Sequence, residues 1–141
     1  MKESLFEFSN PNIYGFQIIQ NPKFDIEQED DTFKYLELNS TIHKSEKKKS
    51  EANVSIDLTN ENIFSGESID NGDFKNVKFM ISVSAVASFR WNERLEDDLV
   101  DTLLKQNAVS LLVSYVRPYI ATITSATDNG TFTLPFIDLT E

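Results

Sequence analysis

An alternation of apolar and mostly polar side chains over residues 77–91 constrains this chain more than any other feature of its sequence. Every odd position from Val77 to Trp91 is apolar, and most even positions carry serine, lysine or arginine. A period of two sustained over this length is typical of a β-strand with one buried face. The small residues Ala85 and Ala87 in the middle of that face leave room for a helix to pack over it. We therefore predict a long antiparallel strand covered by a helix.

Three earlier segments also have the pattern of strands. Residues 12–27 are rich in isoleucine and phenylalanine but contain Asn21 and Pro22. This predicts an edge strand with a bulge, because proline cannot donate a hydrogen bond to a ladder. Residues 33–44 and residues 53–59 alternate apolar and polar side chains and predict two further strands.

Polar segments separate these strands. Residues 45–51, SEKKKSE, form with Lys44 the only dense basic cluster in the chain and predict a solvated hairpin tip. Residues 60–76 are rich in glycine, asparagine, serine and aspartate, with turn signals at residues 65–66 and 71–72. This composition predicts a long loop or a distorted extension of a strand.

The apolar period changes after residue 92. Residues 93–105 carry Leu95, Leu99 and Leu103, with Val100 and Leu104 beside them, on one side and aspartates on the other. Acidic residues come early in this segment and Lys105 comes late, as the helix dipole favours. The segment therefore predicts a short amphipathic helix.

The next segment, residues 107–127, keeps helical spacing but has two apolar lines instead of one. One line contains Ala108, Leu111, Leu112, Tyr115, Tyr119 and Ile123, and the other contains Val109, Val113, Val116 and Ile120. Pro118 predicts a kink or a restart near Arg117, because proline removes a backbone donor and collides with the preceding turn. A helix with two apolar faces needs two partners. These are either the core and another subunit, or the core and an extended segment of another chain.

The helix is predicted to end at residues 128–130, where asparagine or glycine takes the left-handed cap position. The remaining residues, TFTLPFIDLTE, read as an extended segment tied down by apolar side chains. These are Phe132, Leu134, Phe136, Ile137 and Leu139. With no internal repeat and 141 residues, we expect one domain over residues 1–141.

Most side-chain constellations that catalysis needs are missing. His43 is the single histidine, there is no cysteine, and the four glycines form no phosphate-binding loop. The carboxylates at residues 29–31 and 97–98 are typical of a turn and of a helix N-terminus. We therefore expect a binding protein that is not an enzyme and has no metal site and no cofactor.

The net charge and the lengths of the apolar runs restrict which partners and which compartment we expect for this protein. A net charge of -10, from 23 acidic and 13 basic side chains, argues against nucleic acid and anionic lipid as partners. The absence of cysteine fits a reducing compartment. The first ten residues have no apolar run of signal-peptide length, and no later run reaches the roughly 18 apolar residues of a spanning helix. We expect an unanchored cytoplasmic protein without membrane insertion.

The stretch NAVSLLVSYVRPYIATITSATDNGTFTLPFIDL at residues 107–139 resembles the protein-export chaperone SecB and its shorter relatives. The family carries a Tyr-X-Arg element in a long helix, then Ile-Thr, Gly-Thr-Phe and a Leu-X-Pro exit. This sequence has Tyr115-Val116-Arg117, Ile123-Thr124, Gly130-Thr131-Phe132 and Leu134-Pro135. The strand that ends in Phe89-Arg90-Trp91 agrees in position with the last long strand of the family.

The resemblance implies an α+β fold, with a four-stranded antiparallel sheet packed against a long C-terminal helix region. It also implies an ATP-independent holdase that binds unfolded or pre-secretory polypeptide in an apolar groove and aids protein export. The expected assembly is a homotetramer built as a dimer of dimers. After Leu134-Pro135 the sequence shows no counterpart of the family's second C-terminal helix and metal-binding tail, so we do not expect coupling to the export motor SecA.

Six side chains are the candidates for the peptide-binding groove or the subunit interface. They are Phe79, Phe89, Trp91, Leu104, Tyr115 and Tyr119. Core packing selects the same residue types, so the sequence leaves both roles open. A second hypothesis is a dedicated adaptor or chaperone for one partner, for example an antitoxin, that uses the same surface.

Overall fold

The computed structural model describes residues 4–64 and 75–139. Five strands precede two helices: β1 Phe6–Phe8, β2 Asn12–Gln20, β3 Glu37–Lys44, β4 Glu51–Thr59, β5 Phe79–Trp91, α1 Asp97–Thr102 and α2 Ala108–Ser125. A π turn at Leu103–Asn107 joins the two helices, and short 3-10 turns lie at Phe33–Tyr35 and Glu61–Phe64. The predicted turns at residues 65–66 and 71–72 lie outside the described residues.

The five strands form one antiparallel sheet in the order β1-β5-β4-β3, and β2 also pairs with β5. β1 pairs with the end of β5, and β2 pairs with its first half. Because β4 occupies one side of β5, β1 and β2 lie in line along the other side. The sheet is therefore four strands wide, and the prediction of an antiparallel α+β fold with a C-terminal helix is confirmed. The sequence reading missed β1, which has only three residues.

The edge strand was predicted correctly, but its end and its bulge were not. β2 ends at Gln20, before Asn21 and Pro22. The irregular register lies instead between Ile13 and Gly15. The Asn21 amide makes the last hydrogen bond of this strand, to the Lys78 carbonyl, and the chain turns away from β5 at Pro22.

The core lies between one face of the sheet and helix α2. The odd positions of β5 are buried from Phe79 to Phe89, as the alternation predicts. Ala85 and Ala87 are 0% and 4% exposed, so the helix packs where the strand has its smallest side chains. The other face of the sheet is mostly polar and half-exposed or exposed, which is common for an antiparallel sheet with one solvated side.

The helical region is interrupted at a different place from the one predicted. Helix α2 continues through Pro118 without a break, so the predicted restart near Arg117 is wrong. Pro118 and Ser114 are both exposed, so the Ser114 carbonyl that loses its partner can bond to water. The irregular turn is the π turn at Leu103–Asn107.

The π turn keeps one row of side chains on the sheet across both helices. Val100, Leu104, Ala108 and Leu112 are all buried and follow each other at intervals of four residues. In a regular α-helix each such step rotates the side chain by about 40° around the axis. The wider π turn offsets part of this rotation. No helix in the described part of the chain is long and apolar enough to span a membrane.

Candidate functional site

Helix α2 has two flanks beside its buried face, and the described part of the chain covers only one of them. On the covered flank lies the C-terminal strap, which we define as residues 130–139. Phe132 and Leu134 of the strap are 6% and 1% exposed and complete the core. Phe136, predicted to be tied down with them, is 90% exposed and does not enter the core.

Arg117 holds the middle of the strap. Its Nε donates a hydrogen bond of 2.8 Å to the carbonyl oxygen of Leu134, and its Nη2 donates one of 3.2 Å to Pro135. The guanidinium also lies 4.7 Å from the centre of the Phe136 ring. A planar cation with several fixed donors suits this arrangement better than lysine does.

Thr124 holds the start of the strap. It is fully buried, and its hydroxyl donates to the Ile120 carbonyl at 2.7 Å. The same oxygen accepts a hydrogen bond of 2.8 Å from the Phe132 amide. The hydroxyl therefore satisfies a buried backbone amide that has no place in a helix or a strand. Gly130, with φ of 82°, turns the chain just before this contact.

The opposite flank of α2 carries an apolar row that the strap does not cover. We call it the helix stripe and define it as Leu111, Tyr115, Tyr119 and Ile123. Leu111 and Tyr115 are partly buried, and Tyr119 and Ile123 are 46% and 49% exposed. The two tyrosine rings lie 5.5 Å apart. A hydrogen bond with Tyr119, and secondarily burial, raise the pKa of Tyr115 above its usual value.

A second apolar surface runs along the free side of β1 and β2, and we call it the apolar edge. Its exposed side chains are Leu5, Phe8, Tyr14 and Phe16. Among the described residues, no strand lies beside this edge. Phe8 and Phe16 pair with Phe89 and Val83, so they lie on the side of the sheet that helix α2 covers.

The apolar edge also has free backbone groups. The Asn21 amide donates to the Lys78 carbonyl at 2.8 Å, which makes this a bonded pair of the antiparallel ladder. Bonded and unbonded pairs alternate in such a ladder. Phe16, Ile18 and Gln20 therefore direct their amide and carbonyl groups away from β5. An added strand would find hydrogen-bond partners here.

The six side chains proposed from the sequence fall into two groups. Phe79, Phe89 and Leu104 are between 0% and 2% exposed, so they are part of the core and offer no surface to a ligand. Trp91, Tyr115 and Tyr119 reach the surface, and the two tyrosines lie together on the helix stripe. Trp91 lies apart from them, stacked 6.4 Å from Phe6 at the end of the sheet.

Sequence reasoning did not select Ile123, Phe8 or Phe16 as site residues. Ile123 was visible as part of the first apolar line of α2, but the sequence could not show which line meets the sheet. Phe8 lies in β1, which the sequence reading missed, and Phe16 lies in β2, which was predicted as an edge strand but not assigned to the site. The signal that could have selected Phe16 is a strand that begins next to Pro11 and ends next to Pro22.

The polar candidates lie elsewhere. His43 is exposed near the end of β3. Lys44 forms an ion pair of 2.9 Å with Asp101, and this contact holds the pKa of the Asp101 carboxyl below its usual value. Over residues 4–64 and 75–139, no group of three or more histidine, cysteine or acidic side chains is placed to hold a metal ion.

Comparison with solved structures identifies the fold. A SecB-like chaperone of Mycobacterium tuberculosis, Rv1957, solved in complex with a ChAD peptide from the Rv1956 HigA1 antitoxin, superposes with a TM-score of 0.62. The match is 11% identical in sequence and covers 94% of this chain and 88% of that chain. A protein of unknown function from Streptococcus agalactiae matches with a TM-score of 0.60 and 11% identity, over 93% of this chain and 97% of that chain.

No family model and no curated protein matches this sequence. The likeness is therefore one of fold. The chain has a SecB-like fold, as the motifs at residues 115–135 predicted.

Proposed function

We propose that this protein is an ATP-independent holdase chaperone that binds unfolded polypeptide through the helix stripe and the apolar edge. The observation that carries the proposal is the helix stripe, where Tyr119 and Ile123 remain about half-exposed beside a fully packed core. The same chain covers the other flank of the helix with its strap. Contiguous apolar surface left open on a soluble protein marks an interaction site.

The chemistry of both surfaces suits a chain without fixed sequence. Aromatic and aliphatic side chains make many weak contacts that depend little on the order of residues in the ligand. Free amide and carbonyl groups at Phe16, Ile18 and Gln20 add hydrogen bonds to the ligand backbone, which every extended polypeptide offers. Binding the unfolded state in this way keeps a client from folding by mass action, without ATP.

The assembly proposed with this function is a homotetramer, arranged as a dimer of dimers in the cytoplasm. Among the described strands, β3 lies at the other edge of the sheet, which supports this assembly because two copies can join such edges through main-chain hydrogen bonds and leave the edge of β2 to the client. Clients that await export are the proposed substrates. Light scattering tests the assembly: a mass near four chains supports it, and a stable monomer at high concentration contradicts it.

A dedicated chaperone for one partner is the second candidate function. The observation that favours it is the structural likeness to Rv1957, whose solved complex contains a peptide from an antitoxin. Here the helix stripe and the apolar edge would hold one specific segment instead of many clients.

Refolding of a slow-folding client tests the holdase function. We expect the purified protein, in molar excess over chemically unfolded client and without nucleotide, to delay refolding and to suppress aggregation. Clients of unrelated sequence should respond alike. No delay and no suppression with any client contradicts the holdase function, whereas protection of a single native partner alone supports the dedicated chaperone.

A further inference from the structure

A pocket of about 400 Å³ opens on the sheet face opposite helix α2, at the corner where β2 ends and β5 begins. Its apolar walls are Ile19, Pro22, Phe64 and Met80. Ile19 is 48% exposed, whereas Met80 is 9% exposed and forms the floor. The volume falls within the range of sites that bind small ligands, which leaves room for one large side chain. The rest of this sheet face is mostly polar, so an apolar pocket here is not an extension of the helix stripe.

Two buried asparagines fix the walls of this pocket. Asn21, 8% exposed, donates from Nδ2 to the Val77 carbonyl at 2.7 Å, and its Oδ1 accepts from the Lys23 amide at 3.1 Å. These bonds hold the turn that carries Pro22.

Asn60, 2% exposed, holds the opposite wall. Its Nδ2 donates to the Phe79 carbonyl at 2.9 Å, and its Oδ1 accepts from the Ile81 amide at 2.8 Å. The 3-10 turn Glu61–Phe64 begins at the next residue. Both walls are therefore anchored to the backbone of residues 77–81, at and just before the start of β5, so the pocket is formed before any ligand binds. A preformed pocket lowers the entropic cost of binding.

The mouth of the pocket carries one charge of each sign, at Lys23 and Glu61. A fatty acid or another apolar anion would meet the Glu61 carboxylate as well as the lysine. A neutral polypeptide backbone offers both carbonyl acceptors and amide donors, so it can meet both charges while one apolar side chain enters the pocket.

We propose that this pocket is a second client site, which takes one large apolar side chain of an extended polypeptide segment. The inference rests on the proposed function, since the occupant is part of a client chain. A client several tens of residues long can contact both surfaces, because every ten residues of extended chain span roughly 33 Å. The pocket would then hold an unfolded chain at an additional point on the other side of the sheet.

The Met80 methyl group gives a direct probe. The sequence contains two methionines, Met1 and Met80, so methyl-labelled methionine yields a simple NMR spectrum. The probe peptide is a soluble segment of about ten serine, threonine and asparagine residues with one central phenylalanine. We expect its addition to shift the Met80 resonance in a saturable way, and the same peptide with alanine in place of phenylalanine to leave it unchanged.

A matched pair of variants tests the location. Ile19→Trp fills the mouth of the pocket and should weaken peptide binding, read at Met80, by about tenfold or more. Gln17→Trp places the same side chain on the same strand and the same face, two residues away and outside the pocket. It should leave peptide binding unchanged.

Several results would overturn the proposal. One is a Met80 resonance that does not respond to the phenylalanine peptide while the wild-type protein still suppresses client aggregation. Another is a response to N-acetylphenylalaninamide but not to the peptide, which would make the pocket a small-molecule site. A nuclear Overhauser contact in the free protein between the Met80 methyl group and residues 65–74 would show that the chain fills the pocket itself. If the wild-type protein fails to protect any client, the proposed function fails, whatever Met80 reports.

Discussion

The two flanks of helix α2 carry apolar surface of the same kind, but the chain treats them differently. On one flank the C-terminal strap buries Phe132 and Leu134, and Arg117 and Thr124 bind its backbone. On the other flank Tyr119 and Ile123 stay about half-exposed. Exposure of the helix stripe therefore does not follow from a lack of covering chain. The covering segment is present, and its hydrogen bonds direct it to the opposite flank.

The covered flank should behave as core. Leu134→Ala removes a side chain that is 1% exposed and leaves a cavity, so we expect the free energy of unfolding to fall by about 2–5 kcal/mol. Urea denaturation followed by circular dichroism measures this. A loss of unfolding free energy as small as that of a surface substitution would show that the strap is not part of the folded core. The two flanks of helix α2 would then not differ as described.

We expect the second largest loss of unfolding free energy when a hydrogen bond of the strap is removed. Thr124→Ala leaves the buried Phe132 amide without a partner, which we expect to cost about 1–3 kcal/mol of unfolding free energy. Thr124→Ser keeps the hydroxyl and is the matched control. Equal losses in the serine and alanine variants would mean that the methyl group, and not the hydrogen bond, stabilises the strap.

A substitution in the helix stripe should have the smallest effect, which is a change in the pKa of Tyr115. Tyr119→Phe removes the hydrogen bond that raises the pKa of Tyr115, so ultraviolet absorbance should show Tyr115 titrating closer to pH 10.0. The raised pKa of Tyr115 also makes the free energy of unfolding depend on pH. In the native protein this contact contributes stability below pH 10.0, and the contribution is lost as the pH rises through the higher pKa of the folded state. An unchanged titration would show that the two hydroxyl groups do not interact in solution.

The sequence predicted those parts of the fold that follow from the regular spacing of apolar residues along the chain. The alternation in β5 and the spacing of four in α1 and α2 predict a strand and helices because a buried face must repeat with the backbone geometry. The motifs at residues 115–135 predicted the SecB-like fold. Their physical role appears only in the structure, where Arg117 and Thr124 bind the strap that contains the later motifs.

The parts that could not be predicted depend on tertiary geometry. The two apolar lines of α2 have similar composition, so the sequence could not show that Val113 and Ile120 face the sheet while Tyr119 and Ile123 do not. Phe79 and Phe89 were proposed as site residues because they are large and aromatic, but both lie in the core. The effect of Pro118 depended on whether its side of the helix meets solvent, which no local pattern reports.

Binding of an unfolded client to a variant of the helix stripe shows whether this surface holds polypeptide. The variant combines Tyr119→Asp with Ile123→Asp. Its control combines Ser110→Asp with Ser114→Asp, which adds the same charge with the same spacing at exposed positions of α2. Because Tyr119 and Ile123 are about half-exposed, urea denaturation is used to check that the stripe variant and its control both remain folded.

The measurement is the dissociation constant for a fluorescently labelled, permanently unfolded client, taken by anisotropy. We predict that the stripe variant binds the client about tenfold more weakly or worse, a loss of roughly 1.4 kcal/mol, while the control binds like the wild-type protein. Equal binding by all three proteins would contradict the assignment of the helix stripe as the surface that holds polypeptide.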